Sequence, residues 1–301
     1  MRLVFFGTPE PVVPVLRAVQ EAGHDVALVV TQPERRRGRG GATHPSPVQR
    51  AADELGLTAR TPARAREVVD ELRASEIEAG VVAAFGQLLP PALLEAVPLG
   101  LLNLHLSVLP RWRGAAPVER AILAGDAETG VSIMRIDAGL DTGAVFTTVG
   151  TPIGAHESAG ELTDRLITLG IPALLEVLDH LPALAPTPQA GQPTYAEKLT
   201  VDEFRLDPAR PASELERVVR AGNPRPGAWL EVDGRRVKVL QAHAAAGPSG
   251  PPYEVVSPGA TLVTGAGALA LDEVQVEGRR STPANAWLAG YRRRELRLPV
   301  T

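Results

Sequence analysis

The sequence predicts an α/β chain in which a mostly parallel sheet layered with helices is followed by a smaller β-barrel. Three observations carry this. Short apolar runs at residues 2–6, 26–31, 79–85 and 99–105 alternate with segments of helical periodicity, the pattern of strands joined by crossover helices. Beyond residue 205 the pattern changes to brief β-like runs separated by Gly and Pro turns. The charge balance changes sign at the same place. Residues 205–301 hold 14 Arg and Lys against 10 Asp and Glu, net +4, whereas residues 1–204 hold 17 against 25, net −8.

Residues 2–6 read as the first strand, and Gly7-Thr8-Pro9-Glu10 as a turn into a helix with Thr8 as N-cap and Pro9 at the first position. The pattern GxGxxG is absent, so Gly7 reads as a tight turn in preference to a nucleotide loop. After a second strand at 26–31 comes a polar loop, 32–47, which sets Arg35, Arg36, Arg37 and Arg39 among Gly38, Gly40 and Gly41. Such a run is either a solvated charged loop or a phosphate-capturing tether, because guanidinium groups make paired contacts with phosphate oxygens. Residues 46–55 and 66–75 read as helices, and 79–85 as an apolar strand ending in Gly86-Gln87-Leu88-Leu89. A strand at 99–105, a helix at 118–124 and an antiparallel pair at 131–136 and 144–149 follow. The pair encloses the loop Asp137-Ala138-Gly139-Leu140-Asp141-Thr142-Gly143. Residues 158–181 form a long amphipathic helix, and 182–192, rich in Pro and Ala, a linker. The last part has a helix at 213–221 and β-like runs at 228–232, 235–241, 254–256, 261–263 and 269–276.

The composition of 301 residues, 44% hydrophobic, is that of a globular chain with room for two domains. Absence of cysteine excludes disulfides, thiolate metal sites and cysteine nucleophiles, and fits a reducing compartment, here the cytoplasm. The first apolar run is too short for a signal sequence, and no window approaches the roughly 20 apolar residues of a membrane span. Histidines 24, 44, 156, 180 and 243 show no metal-ligand spacing, so no metal is expected.

The chemistry concentrates at Asn103 and His105. Two residues apart on a strand, their side chains share one face, placing an amide donor beside an imidazole at the end of a parallel strand, where such sheets bind ligands. That pair can stabilise an oxyanion and move a proton at neutral pH. Asp141 can complete it by orienting the imidazole, although a buried strand-end His and an Asp in a Gly-rich loop each also fit structural roles. A Ser-His-Asp hydrolase using Ser107 fits poorly, since no GxSxG elbow surrounds Ser107 and it lies one residue from His105 on the same segment.

Asn103-x-His105, the run from Ser107 through Pro110, Arg111-Trp112-Arg113-Gly114-Ala115-Ala116-Pro117 and the Gly139-Leu140-Asp141-Thr142-Gly143 loop closely resemble the signature of folate-dependent formyltransferases. Phe6-Gly7-Thr8-Pro9, Thr31-Gln32-Pro33, Gly38-Arg39-Gly40, Thr194-Tyr195-Ala196-Glu197-Lys198-Leu199 and Asn223-Pro224 narrow the resemblance to the branch acting on methionyl-tRNA. The resemblance implies a Rossmann-like catalytic domain at 1–182, a linker at 183–204 and an OB-like tRNA-binding domain at 205–301. It implies formyl transfer from 10-formyltetrahydrofolate, as co-substrate, to the free α-amine of methionyl-initiator tRNA for translation initiation, by a monomer without metal. Asn103, His105 and Asp141 become the catalytic set, which group acts as base being left open. Ser107, Val108, Leu109, Pro110, Phe85, Gly86, Leu88, Asp137, Gly139 and Leu140 are expected to receive the folate, largely through backbone. Arg36, Arg37, Arg39, Arg235 and Lys238 are expected to meet the tRNA. Formyltransferases acting on a sugar amine or a purine-pathway amine would keep the same three catalytic residues without needing the Arg-rich loop and the net-positive second part. The chain departs from the pattern at Leu106, where a small residue is usual, at Val108 for Leu, in the lysines missing after Gly38-Arg39-Gly40, and at Arg225 between Pro224 and Pro226.

Overall fold

The computed structural model describes residues 1–36, 43–247, 254–256, 259–291 and 296–298. The chain divides into two units, one of residues 1–114, 128–152 and 163–196, the other of 115–127, 153–162 and 197–301. In chain order the elements to residue 196 are β1 (Arg2–Gly7), α1 (Val13–Glu21), β2 (Asp25–Val30), β3 (Arg35–Arg36), β4 (Thr43–His44), α2 (Pro47–Glu54), β5 (Ala59–Arg60), α3 (Val69–Ala74), β6 (Ala79–Ala83), α4 (Pro91–Leu94), β7 (Leu101–His105), β8 (Arg113–Gly114), α5 (Pro117–Ala124), β9 (Glu128–Arg135), β10 (Val145–Pro152), α6 (Ala159–His180) and β11 (Tyr195–Ala196).

The first unit is built on a seven-stranded sheet of order β10-β9-β7-β6-β1-β2-β5. From β7 to β5 every neighbouring pair is parallel, whereas β9 pairs antiparallel with both β7 and β10. The sheet is therefore mostly parallel, as the alternating strands and helices require. Residues Leu3–Phe6 of β1 and Ala79–Ala83 of β6 are apolar and buried without alternation, because both faces are covered. Val4, Phe6, Leu28, Val30, Leu72, Val82, Phe85, Leu93 and Leu101 form one buried cluster, each large side chain contributing about 1.5–3 kcal/mol by leaving water. Phe6 and Phe85 meet edge to face at 5.2 Å.

The chain lays β2 and β5 on one side of β1 and then returns to place β6 and β7 on the other. Beyond β1 and β6, at this change of direction, lies a cleft of about 260 Å³ lined by Thr8, Gln32, His44, Ser46, Phe85 and Gly86 among others. Thr8 does not act as the expected N-cap. The helical segment opens at Glu10 after Pro9 without a side-chain cap, and the Thr8 hydroxyl instead donates to the Phe85 carbonyl at 3.0 Å. Ser46 does cap α2, accepting from the Gln49 N–H at 3.0 Å.

The second unit contains α5 and, further on, α7 (Ala212–Gly222), β12 (Ala228–Val232), β13 (Arg235–Ala245), β14 (Glu254–Val256), β15 (Thr261–Val263), β16 (Ala268–Val276), β17 (Thr282–Pro283), α8 (Ala284–Ala289) and β18 (Leu296–Arg297). Its antiparallel sheet runs β12-β13-β16-β15-β14-β18, with β17 also on β16. Among the described residues the ladders make a half-barrel, with none joining β12 to β18. Strand β13 continues to Ala245, past the expected end at residue 241, because Ala242–Ala245 pair with residues 268–271 of β16. Cross-strand pairing there overrides the weak strand preference of alanine. Helix α7 buries Leu215, Val218 and Val219 and packs against β13, β16 and α5.

Candidate active site

Strand β7 ends at His105, between β6 and β9, with Asn103 opposite Val82 and Met134 and His105 opposite Ser132. The His105 ring is buried, 5% exposed. Its Nε2 lies 2.9 Å from the Trp112 carbonyl oxygen. A carbonyl only accepts, so Nε2 carries a proton and donates, which leaves Nδ1 as the nitrogen that can take up or release one. Nδ1 lies 3.7 Å from Asp141 Oδ2.

The loop between β9 and β10 folds back so that Asp141, 36 residues after His105 in sequence, reaches the same face. Asn103 Nδ2 donates to Asp141 Oδ1 at 3.4 Å, and the Gly114 N–H donates to Oδ2 at 2.8 Å. Two donors and an imidazole thus converge on one carboxyl group. The amide of Asn103 has two hydrogens, of which Asp141 takes one and the other is left for an incoming oxygen. Asp141 adopts φ +50°, a left-handed conformation that Asp tolerates better than most residues.

Two glycines allow this packing. Gly114 has φ +118°, and a Cβ there would press on the Ala196 carbonyl oxygen at 2.8 Å. At Gly143 a Cβ would overlap the Arg135 carbonyl oxygen. Gly143→Ala is therefore expected to cost about 1–3 kcal/mol through forced backbone movement. Thermal denaturation should show Tm falling on the order of 5 °C, and an unchanged Tm would mean that the loop has room the geometry denies it.

The residues expected to receive a cofactor divide by what their side chains do. The Ser107 hydroxyl donates to the Arg111 carbonyl at 2.6 Å and closes its own turn. Ser132 Oγ donates to the Ser107 carbonyl and accepts from the Leu109 N–H, tying that turn to β9. Asp137 accepts from the Gly139 N–H and the Thr142 hydroxyl, closing the next loop. Phe85 and Leu109 are buried, Gly86 is exposed and Pro110 half-buried. In contrast Leu88, Leu140 and Val108 are 91%, 60% and 40% exposed, three of six large hydrophobic side chains so exposed among the described residues. Leu106, just beyond β7, is half-buried.

Of the residues expected to meet nucleic acid, Arg37 and Arg39 lie outside the described residues, and Arg36 lies in the short hairpin of β3 and β4. Arg235 is exposed. Lys238, in β13, is half-buried and its ammonium donates to the Pro226 carbonyl, in the connection between α7 and β12, at 2.9 Å. Beside it Arg236 stacks on the Trp229 ring at 4.1 Å. Among the described residues no group of three His, Asp or Glu side chains is placed to hold a metal ion, and no helix is long and apolar enough to cross a membrane.

Sequence reasoning missed the backbone partners, the Trp112 carbonyl and the Gly114 N–H, and it missed Gln189. The Gln189 amide donates to the carbonyls of Asp141 and Gly143, 2.8 Å each, from within the stretch read as a linker. Thr187 in that stretch exchanges both backbone hydrogen bonds with Val145. No motif marks such contacts, since a backbone carbonyl is the same at every residue.

The site thus sets a strand-end Asn-x-His pair in a mostly parallel sheet against the loop that carries Asp141. Residues 1–178 match the family Formyl transferase, and residues 198–292 match Formyl transferase, C-terminal domain. The chain is 48% identical over 292 residues to a methionyl-tRNA formyltransferase of Paracoccus denitrificans, covering 96% of this chain and 97% of that one. It is 48% identical over 295 residues to that of Thermus thermophilus, covering 97% and 96%. Among solved structures, HypX from Aquifex aeolicus in complex with tetrahydrofolic acid superposes with a TM-score of 0.70 at 17% identity, over 96% of this chain and 47% of that chain, a likeness of fold. The chain belongs to the methionyl-tRNA formyltransferase family.

Proposed function

We propose that Asn103, His105 and Asp141 are the catalytic residues with which this enzyme transfers a formyl group to the α-amine of methionyl-initiator tRNA. The observation that carries the reading is their convergence, with Asp141 3.4 Å from Asn103 and 3.7 Å from His105 on the face of one buried strand. The donor, 10-formyltetrahydrofolate, supplies an activated formyl carbon whose leaving group is an aryl-substituted nitrogen. The amine, partly neutral near pH 7, attacks that carbon, and negative charge grows on the formyl oxygen. The second hydrogen of the Asn103 amide stabilises that charge. As the bond between the formyl carbon and the folate nitrogen breaks, His105 Nδ1 passes the proton lost by the amine to that nitrogen, with the Asp141 carboxylate balancing the imidazolium. No enzyme nucleophile is needed.

The apolar surfaces of Leu88, Val108 and Leu140 fit a flat ring system, with backbone groups from the loops around Phe85–Gly86 and Asp137–Gly139 and from the turn Ser107–Pro110 supplying polar contacts. In this reading residues 1–182 are the catalytic domain and 205–301 an OB-like domain that holds tRNA, with 183–204 between them. Arg36, Arg37, Arg39, Arg235 and Lys238 contribute phosphate contacts. The enzyme works as a cytoplasmic monomer.

Purified protein given 10-formyltetrahydrofolate and methionyl-initiator tRNA should yield formylmethionyl-tRNA. Failure there, with formylation of an amino-sugar nucleotide in its place, would replace this reading. Affinity for the tRNA should fall as salt rises, with a log–log slope of roughly −0.7 to −0.9 per phosphate contact. Arg39→Ala should flatten that slope while leaving kcat at saturating tRNA intact. A dissociation constant indifferent to salt counts against the phosphate contacts.

A further inference from the structure

Gln189 is bonded on both sides of the site. Its Nε2 donates to the carbonyls of Asp141 and Gly143 at 2.8 Å each, and its Oε1 accepts from Arg113 Nε at 3.0 Å and Nη2 at 2.7 Å. These four bonds join two segments that have no covalent link near the site. One is the loop bearing Asp141, which faces His105 Nδ1. The other is the Trp112–Gly114 segment, whose Trp112 carbonyl holds His105 Nε2 and whose Gly114 N–H holds Asp141 Oδ2. Both edges of the imidazole therefore depend on segments that this one side chain ties together.

The segment carrying Gln189 is itself fixed at two points. Thr187 pairs with Val145 through two backbone bonds of 2.8 Å, and Thr194 accepts from the Arg113 N–H at 2.9 Å and, through its hydroxyl, from the Trp112 N–H at 2.8 Å. Gln189 thus acts from an anchored stretch. An amide is the side chain that suits the position, because two carbonyls require a donor and a guanidinium requires an acceptor. A glutamate would turn an oxygen toward both carbonyls. With neither bond made, the left-handed turn at Asp141 loses the contacts that hold its backbone.

We propose that Gln189 is a positioning residue for formyl transfer, holding the Asp141 carboxylate in register with the His105 ring by clamping the Asp141 loop to Arg113. The proposal rests on the catalytic reading of Asp141 and His105. It assigns to Gln189 an effect on kcat exerted only through Asp141. A displacement near 1 Å in a catalytic constellation costs on the order of 10²-fold, so losing the clamp should cost about 10- to 100-fold.

The test uses the full chain with 10-formyltetrahydrofolate and methionyl-initiator tRNA, measuring kcat, both KM values and Tm for Gln189→Met, Asp141→Asn and the double variant. Methionine keeps the length of the side chain without its hydrogen bonds, and asparagine tolerates the left-handed turn. Gln189→Met is expected to lower kcat with both KM values and Tm near those of the parent, and the double variant to be no slower than Asp141→Asn alone. Undiminished kcat in Gln189→Met, or losses that multiply in full in the double variant, would overturn the assignment. Full kcat in Asp141→Asn would instead overturn the catalytic reading, and the inference with it. Should Gln189→Met fail to fold, Gln189→Glu, which keeps the acceptor for Arg113 and loses the donor, is judged by the same outcomes.

Discussion

His105→Ala is expected to lower kcat by about 10²- to 10⁴-fold, the range for loss of a positioned acid/base group, while leaving the dissociation constant for tRNA unchanged. The imidazole lies at the end of β7, buried, with one nitrogen donating to the Trp112 carbonyl and the other facing Asp141. Nothing in that arrangement leaves the ring a second role on a nucleic-acid surface. Alanine removes the proton carrier and leaves Asp141 with its bonds from Gly114 and Asn103. The fold should persist, because the Leu101, Leu102 and Leu104 side chains that anchor the strand are untouched. Steady-state formylation and equilibrium tRNA binding on the same preparations check this. A loss of tRNA affinity equal to the loss of kcat would contradict the division of roles.

Asn103→Ala is expected to cost about 10²- to 10³-fold in kcat, the magnitude seen when one oxyanion donor is removed. The expectation depends on the amide's two hydrogens, one directed to Asp141 at 3.4 Å and the other available to the formyl oxygen. Asn103→Asp should lose at least as much. It keeps the shape but replaces a donor with a second carboxylate beside Asp141, where like charges repel. If Asn103→Asp retained more activity than Asn103→Ala, Asn103 would be acting through shape alone. Rapid-quench measurement of a single turnover separates the chemical step from product release.

Asn103 and His105 were legible because strand periodicity alone puts residues two apart on one face, and the apolar run before them marks a buried strand. Asp141 was legible as a candidate from its residue type, with a structural role left open beside it, and the resemblance singled it out. Spacing by itself does not bring a residue 36 positions on back to the strand; the fold of its loop does. The exposed Leu88 and Leu140 show why the loops expected to receive folate could be named as segments but not as contacts: burial is a property of the folded chain. Thr8 is not a cap because the helical segment opens at Glu10 with Pro9 in the cap position, and its hydroxyl donates to the Phe85 carbonyl, 77 residues away. The barrel was read from turns and short strands, which foretell an antiparallel sheet without foretelling whether its edges meet.

From sequence alone came the alternation of apolar strands and helices that makes a mostly parallel sheet, the net-positive second part, and the Asn-x-His pair at a strand end. These are local properties, set by periodicity and charge within short windows. Tertiary structure decided which nitrogen of His105 is left to exchange a proton, which two donors hold Asp141, and that Gln189, in a stretch that reads as a plain linker, bonds to both flanks of the site. Each of those is a hydrogen bond to a backbone group or across a long sequence separation. Every residue but proline offers the same carbonyl and N–H, so only the folded geometry selects which of them meet.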